Sequence, residues 1–129
     1  MNQHQELAAI ADVLEGYFDG LFHADSARLA KVFHPDARYV NTVEGDYMNY
    51  SMAEYFAIVD KRQSAASEGK RRQDQILSIE FGSPRMAFAK VTMTMMGRDY
   101  LDFLTLSRDN NGWRIITKVF TYTVRGEAG

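Results

Sequence analysis

Cysteine is absent from the 129-residue sequence, which excludes disulfide bonds, thiolate catalysis and zinc–thiolate sites. No apolar run approaches the ~20 residues that a membrane-spanning helix needs. The first six residues also lack the basic start and long apolar run of a secretory signal. We therefore expect a cytoplasmic protein that has no membrane partner.

An excess of one charge sign is missing as well. The chain has 15 basic and 17 acidic residues, so it offers no electrostatic footprint for a nucleic acid. It has neither a glycine-rich phosphate loop nor a Gly-x-Ser-x-Gly elbow, which disfavours nucleotide enzymes and hydrolases. The three histidines do not have the spacing of a metal motif, and we expect neither a metal nor a cofactor.

Apolar residues make up 46% of the chain, which is ample for one hydrophobic core. The length is that of a single domain, and the sequence shows no domain boundary, so we expect one domain over residues 1–129. The polar segment 64–72 is the only long stretch without an apolar period, and we expect it to be exposed.

Helical periodicity dominates the first half. Apolar residues at steps of three and four predict a helix over 5–22, which has Tyr17 and Phe18 on its inner face. A short helix is predicted over 26–32, ending at His34-Pro35. Ser51 and Glu54 form a capping box that begins a third helix, which frays near Arg62.

Strand periodicity dominates the second half. We predict strands over 37–43 and 47–50, followed by four long strands over 73–82, 85–96, 99–108 and 113–124. Short polar turns join the last four, which indicates an antiparallel meander. Helices first and antiparallel strands later define an α+β fold.

The period of two assigns side chains to the two faces of the sheet. Asp102 faces inward in this assignment, together with Leu104. On the last strand it predicts Ile115, Thr117, Val119 and Thr121 inside, and Ile116, Lys118, Phe120 and Tyr122 outside. Exposed Ile116, Phe120 and Tyr122 would form an apolar surface, so we predict a homodimer through this outer sheet face.

Three segments, Phe33–Ala37, 100–106 and 112–120, resemble the nuclear-transport-factor-2-like superfamily, in particular its lumazine-binding-like and polyketide-cyclase-like branch. The order of elements resembles that superfamily across the whole chain. The resemblance implies a cone in which three N-terminal helices pack on a curved, mostly antiparallel sheet. Because the superfamily includes ketosteroid isomerase, dehydratases, cyclases and non-enzymatic modules, the fold alone does not assign one activity.

The resemblance extends to the site of ketosteroid isomerase. Tyr17 falls where that family has its oxyanion-hole tyrosine, and Asp102 falls where it has a protonated aspartic acid. The general base falls on Asn41, and an amide cannot accept that proton at neutral pH. Tyr17 and Asp102 therefore remain as candidates to polarise or hold a carbonyl oxygen, with His34 or a water as the base.

The predicted pocket suits a flat, mostly apolar or aromatic small molecule. Its candidate ligand-binding residues are Phe18, Tyr39, Asn41, Val91, Met93, Leu104, Thr117, Val119 and Thr121.

Each candidate has a structural alternative. Tyr17 is equally explained as a core residue, Asn41 as a buried amide that binds backbone, and His34 as a turn residue. Asp102 must be paired, protonated or facing water. Two functions follow. The first is a small-molecule-binding domain with an apolar pocket, either without activity or with that of a carbonyl-polarising isomerase, cyclase or dehydratase. The second is a non-catalytic dimeric module with a filled core.

Overall fold

The computed structural model describes residues 2–126. The helices are α1 (Gln3–Phe22), α2 (Ser26–Ala30) and α3 (Met52–Asp60). The strands are β1 (Phe33–Asn41), β2 (Met48–Ser51), β3 (Asp74–Ser83), β4 (Met86–Met95), β5 (Arg98–Asp109) and β6 (Gly112–Val124). Within the described residues, no helix combines the length and the apolar character that crossing a membrane requires.

The six strands form one curved sheet in the order β2-β1-β6-β5-β4-β3. Only the contact between β1 and β6 is parallel, and the other pairs are antiparallel. The helices cover one face of this sheet and enclose the core. The predicted α+β cone and the meander of four long strands are thereby confirmed.

The helix starts follow the capping residues. The Ser51 side chain accepts a hydrogen bond from the Glu54 backbone, and the Glu54 side chain accepts one from the Ser51 backbone, as the predicted capping box requires. Helix α2 ends at Ala30, two residues earlier than predicted, and β1 begins at Phe33. His34 precedes a proline and takes extended backbone, which extends β1 toward α2.

A β-bulge in β6 changes which residues face the core. Leu106 pairs with Ile115, but its neighbour Thr105 pairs with Thr117, so Ile116 is an extra residue opposite β5. Beyond such an insertion the alternation is reversed. The inner face therefore receives Lys118 and Phe120, which are only 5% and 3% exposed.

The bulge overturns the predicted faces of β6. Lys118, Phe120 and Tyr122 do not lie outside; they pair with the inward residues Leu104, Asp102 and Tyr100. The outward row is Thr117, Val119 and Thr121, which were predicted to line the pocket. The predicted dimer surface of Ile116, Phe120 and Tyr122 is therefore wrong, because one extra residue exchanged the two rows.

Candidate functional site

Lys118 lies at the centre of the interior, where β6 and β5 run side by side. Its Nζ atom is 3.7 Å from Oδ2 of Asp102, a residue with no exposed surface. The same amino group donates to the hydroxyl of Tyr55 over 3.4 Å. An ammonium and a carboxylate are thus buried together, which is costly unless they pair.

Tyr17 reaches this pair from α1. Its hydroxyl donates to Oδ2 of Asp102. Burial, together with the negative charge of Asp102, raises the pKa of Tyr17 well above its ordinary value, so the phenol keeps its proton at neutral pH. The other oxygen of Asp102, Oδ1, is buried and has no hydrogen-bond partner within residues 2–126. Asp102 therefore offers one unused acceptor beside Lys118.

Aromatic rings enclose the Lys118 ammonium. Four ring centroids lie within 5.4 Å of Nζ: Tyr17 at 5.0 Å, Phe120 at 5.1 Å, Tyr55 at 5.3 Å and Tyr39 at 5.4 Å. Rings at these distances attract a cation through their negative faces. The attraction offsets part of the cost of removing Lys118 from water, and it fixes the amino group near Asp102.

A narrow opening connects Lys118 with the surface. The cavity there has a volume of about 10 Å³, which holds about one water. Its lining is Leu21, Tyr39, Arg62, Met93, Met95, Met96, Tyr100, Lys118 and Phe120. Methionine side chains have three rotatable bonds and shift easily, so this rim can open for a larger molecule.

Arg62 lies directly after α3, beside the hydroxyl groups of Tyr39 and Tyr55. Burial raises the pKa of both tyrosines, and the positive charge of Arg62 opposes that rise. Lys118 opposes it as well at Tyr39. The opening thus has cations and hydroxyl donors on one side, and apolar methionines on the other.

A model of the family described as "Putative lumazine-binding" matches residues 5–121. The chain belongs to that family. A curated relative, aldolase FrzH of Cladobotryum sp, is 27% identical over 106 residues, which are 81% of each chain. Membership of this family supports a ligand-binding domain.

Solved structures show the same fold. An NTF-2 like protein of Silicibacter pomeroyi DSS-3 superimposes with a TM-score of 0.85 at 24% identity, over 95% of this chain and 100% of the other. A ketosteroid isomerase-like protein of Erwinia carotovora atroseptica SCRI1043 has a TM-score of 0.70 at 16% identity, over 95% and 98%. The predicted nuclear-transport-factor-2-like fold is confirmed, and the family match confirms the predicted lumazine-binding-like branch.

Of the three catalytic candidates, two meet in this lumazine-binding-family domain. Tyr17 and Asp102 bind one another rather than pointing separately at a shared empty position. His34 does not join them. Its Nδ1 accepts from the backbone N–H of Asp36 over 3.0 Å, and the Asp36 carboxylate lies 3.8 Å from the same nitrogen. These contacts match the turn-residue interpretation of His34.

Asn41 is buried but occupied. Its amide nitrogen donates to Asp46 over 2.9 Å, and its oxygen accepts the backbone N–H of Val43 over 2.9 Å. Both contacts stabilise the turn between β1 and β2, so the structural interpretation of this amide applies.

The remaining predicted pocket residues divide by face. The side chains of Phe18, Tyr39, Val91, Met93 and Leu104 are buried on the inner side, whereas Thr117, Val119 and Thr121 face outward.

Sequence patterns missed Lys118, Tyr55 and Arg62. Tyr55 was predicted on α3, but nothing in its spacing indicated a contact with β6. A lysine amid the apolar residues of 113–124 was the one available signal, since a charged residue is seldom buried without a partner.

A wider cleft lies elsewhere, on the outer sheet face. It measures about 650 Å³, and threonines and glutamines form much of its wall. Outward residues such as Leu101 and Thr121 line it, together with Asp99. A buried amine, a carboxylate and tyrosine hydroxyls converge at Lys118, which we therefore take as the functional site.

Proposed function

We propose that this domain is an enzyme that captures a small carbonyl compound on Lys118 as an iminium and uses it in aldol-type carbon–carbon bond chemistry. One observation carries the proposal: the amino group of Lys118 is buried among aromatic rings, 3.7 Å from a carboxylate, and lines a narrow opening of the described interior. A lysine removed from water beside a proton acceptor suits nucleophilic catalysis.

The proposed step balances with the groups present. Asp102 takes one proton from the Lys118 ammonium, and the neutral nitrogen attacks the carbonyl carbon. The carbonyl electrons move to the oxygen, which receives a proton from the nitrogen. A second proton returns from Asp102, water leaves, and the nitrogen lone pair completes the carbon–nitrogen double bond.

The iminium makes the neighbouring carbon acidic. Asp102, ionised again, accepts the α-proton, and the resulting enamine attacks the carbon of a second carbonyl compound. The oxygen of that compound takes the proton back from Asp102, and the iminium forms again. Hydrolysis then releases the product and restores Lys118. Tyr17 acts as a positioning residue in this scheme, because its hydroxyl holds Oδ2 of Asp102, the oxygen that lies 3.7 Å from the Lys118 amino group.

Two likenesses support this proposal. Aldolase FrzH is similar over 81% of the chain, and its name describes carbon–carbon bond chemistry. The fold is also that of a ketosteroid isomerase-like protein, whose name refers to reactions beside a carbonyl. The earlier hypothesis that Tyr17 and Asp102 polarise a carbonyl is retained in a changed form, in which they serve Lys118.

Reductive trapping tests the iminium directly. With butanal and cyanoborohydride, we expect Lys118 to be alkylated before the exposed Lys61 and Lys70, as read by peptide mapping and intact mass. Lys118→Arg should lose this early modification, whereas Lys90→Arg, a matched change on the outer face, should keep it. Alkylation of the exposed lysines first, with Lys118 unmodified, would overturn the proposal.

A non-catalytic dimeric module is the second candidate, and the small cavity of about 10 Å³ favours it. Its surface would be the corrected outer row. Phe103 and Val119 pair across β5 and β6 there, with 41% and 36% of their surfaces exposed. Apolar groups exposed side by side favour association with a second copy.

The outer row predicts the effect of one charge on assembly. We expect Phe103→Asp to convert a dimer into a monomer, because a carboxylate buried at a symmetric interface would meet its own copy. Light scattering coupled to size-exclusion chromatography measures this. Tyr47→Asp, at an exposed aromatic residue in the β1–β2 turn, is the control and should stay dimeric. A wild-type monomer would rule out the dimer.

A further inference from the structure

Arg62 faces the same opening as Lys118. It follows the last turn of α3 and lines the cavity in front of the Lys118 amino group. It also lines a second small cavity beside the first, next to Glu68 and Lys70. One guanidinium therefore stands at the entrance, between the solvent and the buried amine.

The charge of Arg62 is not balanced by a carboxylate. Its neighbours on the inner side are the hydroxyls of Tyr39 and Tyr55. Within residues 2–126, Arg62 forms no ion pair, whereas the adjacent Lys70 is paired with Glu68 at 3.5 Å. Two cations, Arg62 and Lys118, thus share the opening with a single carboxylate, Asp102, which leaves an excess of one positive charge.

We propose that the substrate is an oxo acid, a small molecule that carries a carboxylate as well as the carbonyl group. Arg62 binds the carboxylate, and Lys118 receives the carbonyl. The inference rests on the proposed function of Lys118. A guanidinium matches a carboxylate with two parallel hydrogen bonds, and it keeps its charge at every relevant pH. The sequence predicted a mostly apolar or aromatic ligand, and the proposal adds a carboxylate to it.

The arrangement gives each group a separate task. The carboxylate of the substrate neutralises the excess positive charge at the entrance. Partial desolvation there makes a charge-assisted hydrogen bond stronger than in water. The methionines at the rim, Met95 and Met96, cover the apolar part of the molecule. Oxo acids of different chain length offer the same carboxylate and carbonyl groups, so the test includes a short acid and a longer one.

Pairs of acid and methyl ester isolate the role of charge. Pyruvate is compared with methyl pyruvate, and levulinate with methyl levulinate, in cyanoborohydride trapping at Lys118. We expect half-maximal trapping at a concentration about 10- to 100-fold lower for the acid than for its ester, the effect of one hydrogen-bonded ion pair. Arg62→Gln should remove this preference, so that the acid and its ester are trapped at similar concentrations, and Arg62→Lys should restore part of it.

Direct binding separates this inference from the proposed function. Calorimetry of the acid needs no covalent bond, so it is measured in parallel for wild type and Arg62→Gln. Arg62-dependent binding without trapping supports the oxo acid and overturns the iminium. Equal trapping of acid and ester in wild type overturns the oxo acid and supports the iminium. An acid that neither binds nor is trapped overturns both.

Discussion

Replacing Asp102 with alanine should lower the free energy of unfolding by about 3–5 kcal/mol, because it leaves the Lys118 ammonium buried without its carboxylate. The Asp102 side chain is fully buried, and Lys118 is 5% exposed. The same change removes the acceptor of the Tyr17 hydroxyl. An unpaired buried hydroxyl adds a cost of about 1–3 kcal/mol, part of which relaxation recovers.

Removing the charges of both Asp102 and Lys118 should lower the free energy of unfolding much less than removing that of Asp102 alone. We expect the double variant Asp102→Leu with Lys118→Met to recover most of the stability lost in Asp102→Ala, since apolar residues of similar size often replace a buried ion pair without loss. Guanidinium unfolding followed by circular dichroism gives the midpoint and slope for each variant. An Asp102→Ala variant within about 1 kcal/mol of wild type would contradict the buried pair.

The double variant also bears on function. If it folds as stably as wild type but fails to trap a carbonyl compound, the charged pair is not needed for the fold. An apolar pair would then fill the core equally well, and the presence of the charged pair Asp102 and Lys118 is explained by the chemistry of Lys118. A trapping signal that survives Lys118→Met would assign the amine to another lysine.

The fold was predictable because its signals are local and repeated. The apolar stripe of α1, the Ser51–Glu54 capping box and the turns between the long strands each identify an element without reference to the rest of the chain. The bulge at Ile116 leaves no comparable mark, because one extra residue alters neither composition nor strand propensity. It nevertheless reverses every side chain that follows.

The candidate site was predictable only in part, because only some of its residues are marked by a local pattern. Tyr17 and Asp102 lie on elements whose inward faces follow from periodicity, so they were found and they meet. Lys118 follows the bulge and was assigned to the wrong face. Arg62 and Tyr55 reach the site only through the way α3 packs over β1, which is a tertiary contact and has no local pattern.

Phe33 packs against the rings of the site, and its truncation should have the second largest effect on the free energy of unfolding. The ring is buried and contacts Tyr17, Tyr55 and Phe56 with centroid distances of 5.8 Å, 5.9 Å and 6.3 Å. Phe33→Ala leaves a cavity where α1, α3 and β1 meet. We therefore expect it to lower the free energy of unfolding by about 3–5 kcal/mol. Guanidinium unfolding measures the loss.

An exposed aromatic residue provides the matched comparison for Phe33. Tyr47 is 64% exposed in the turn between β1 and β2, so Tyr47→Ala should change the free energy of unfolding by less than about 0.5 kcal/mol. Phe33→Leu keeps most of the volume and should cost less than Phe33→Ala. Because Phe33 packs against two rings that enclose Lys118, its loss should also slow carbonyl trapping. Equal stabilities of Phe33→Ala and Tyr47→Ala would show that this ring does not support the site.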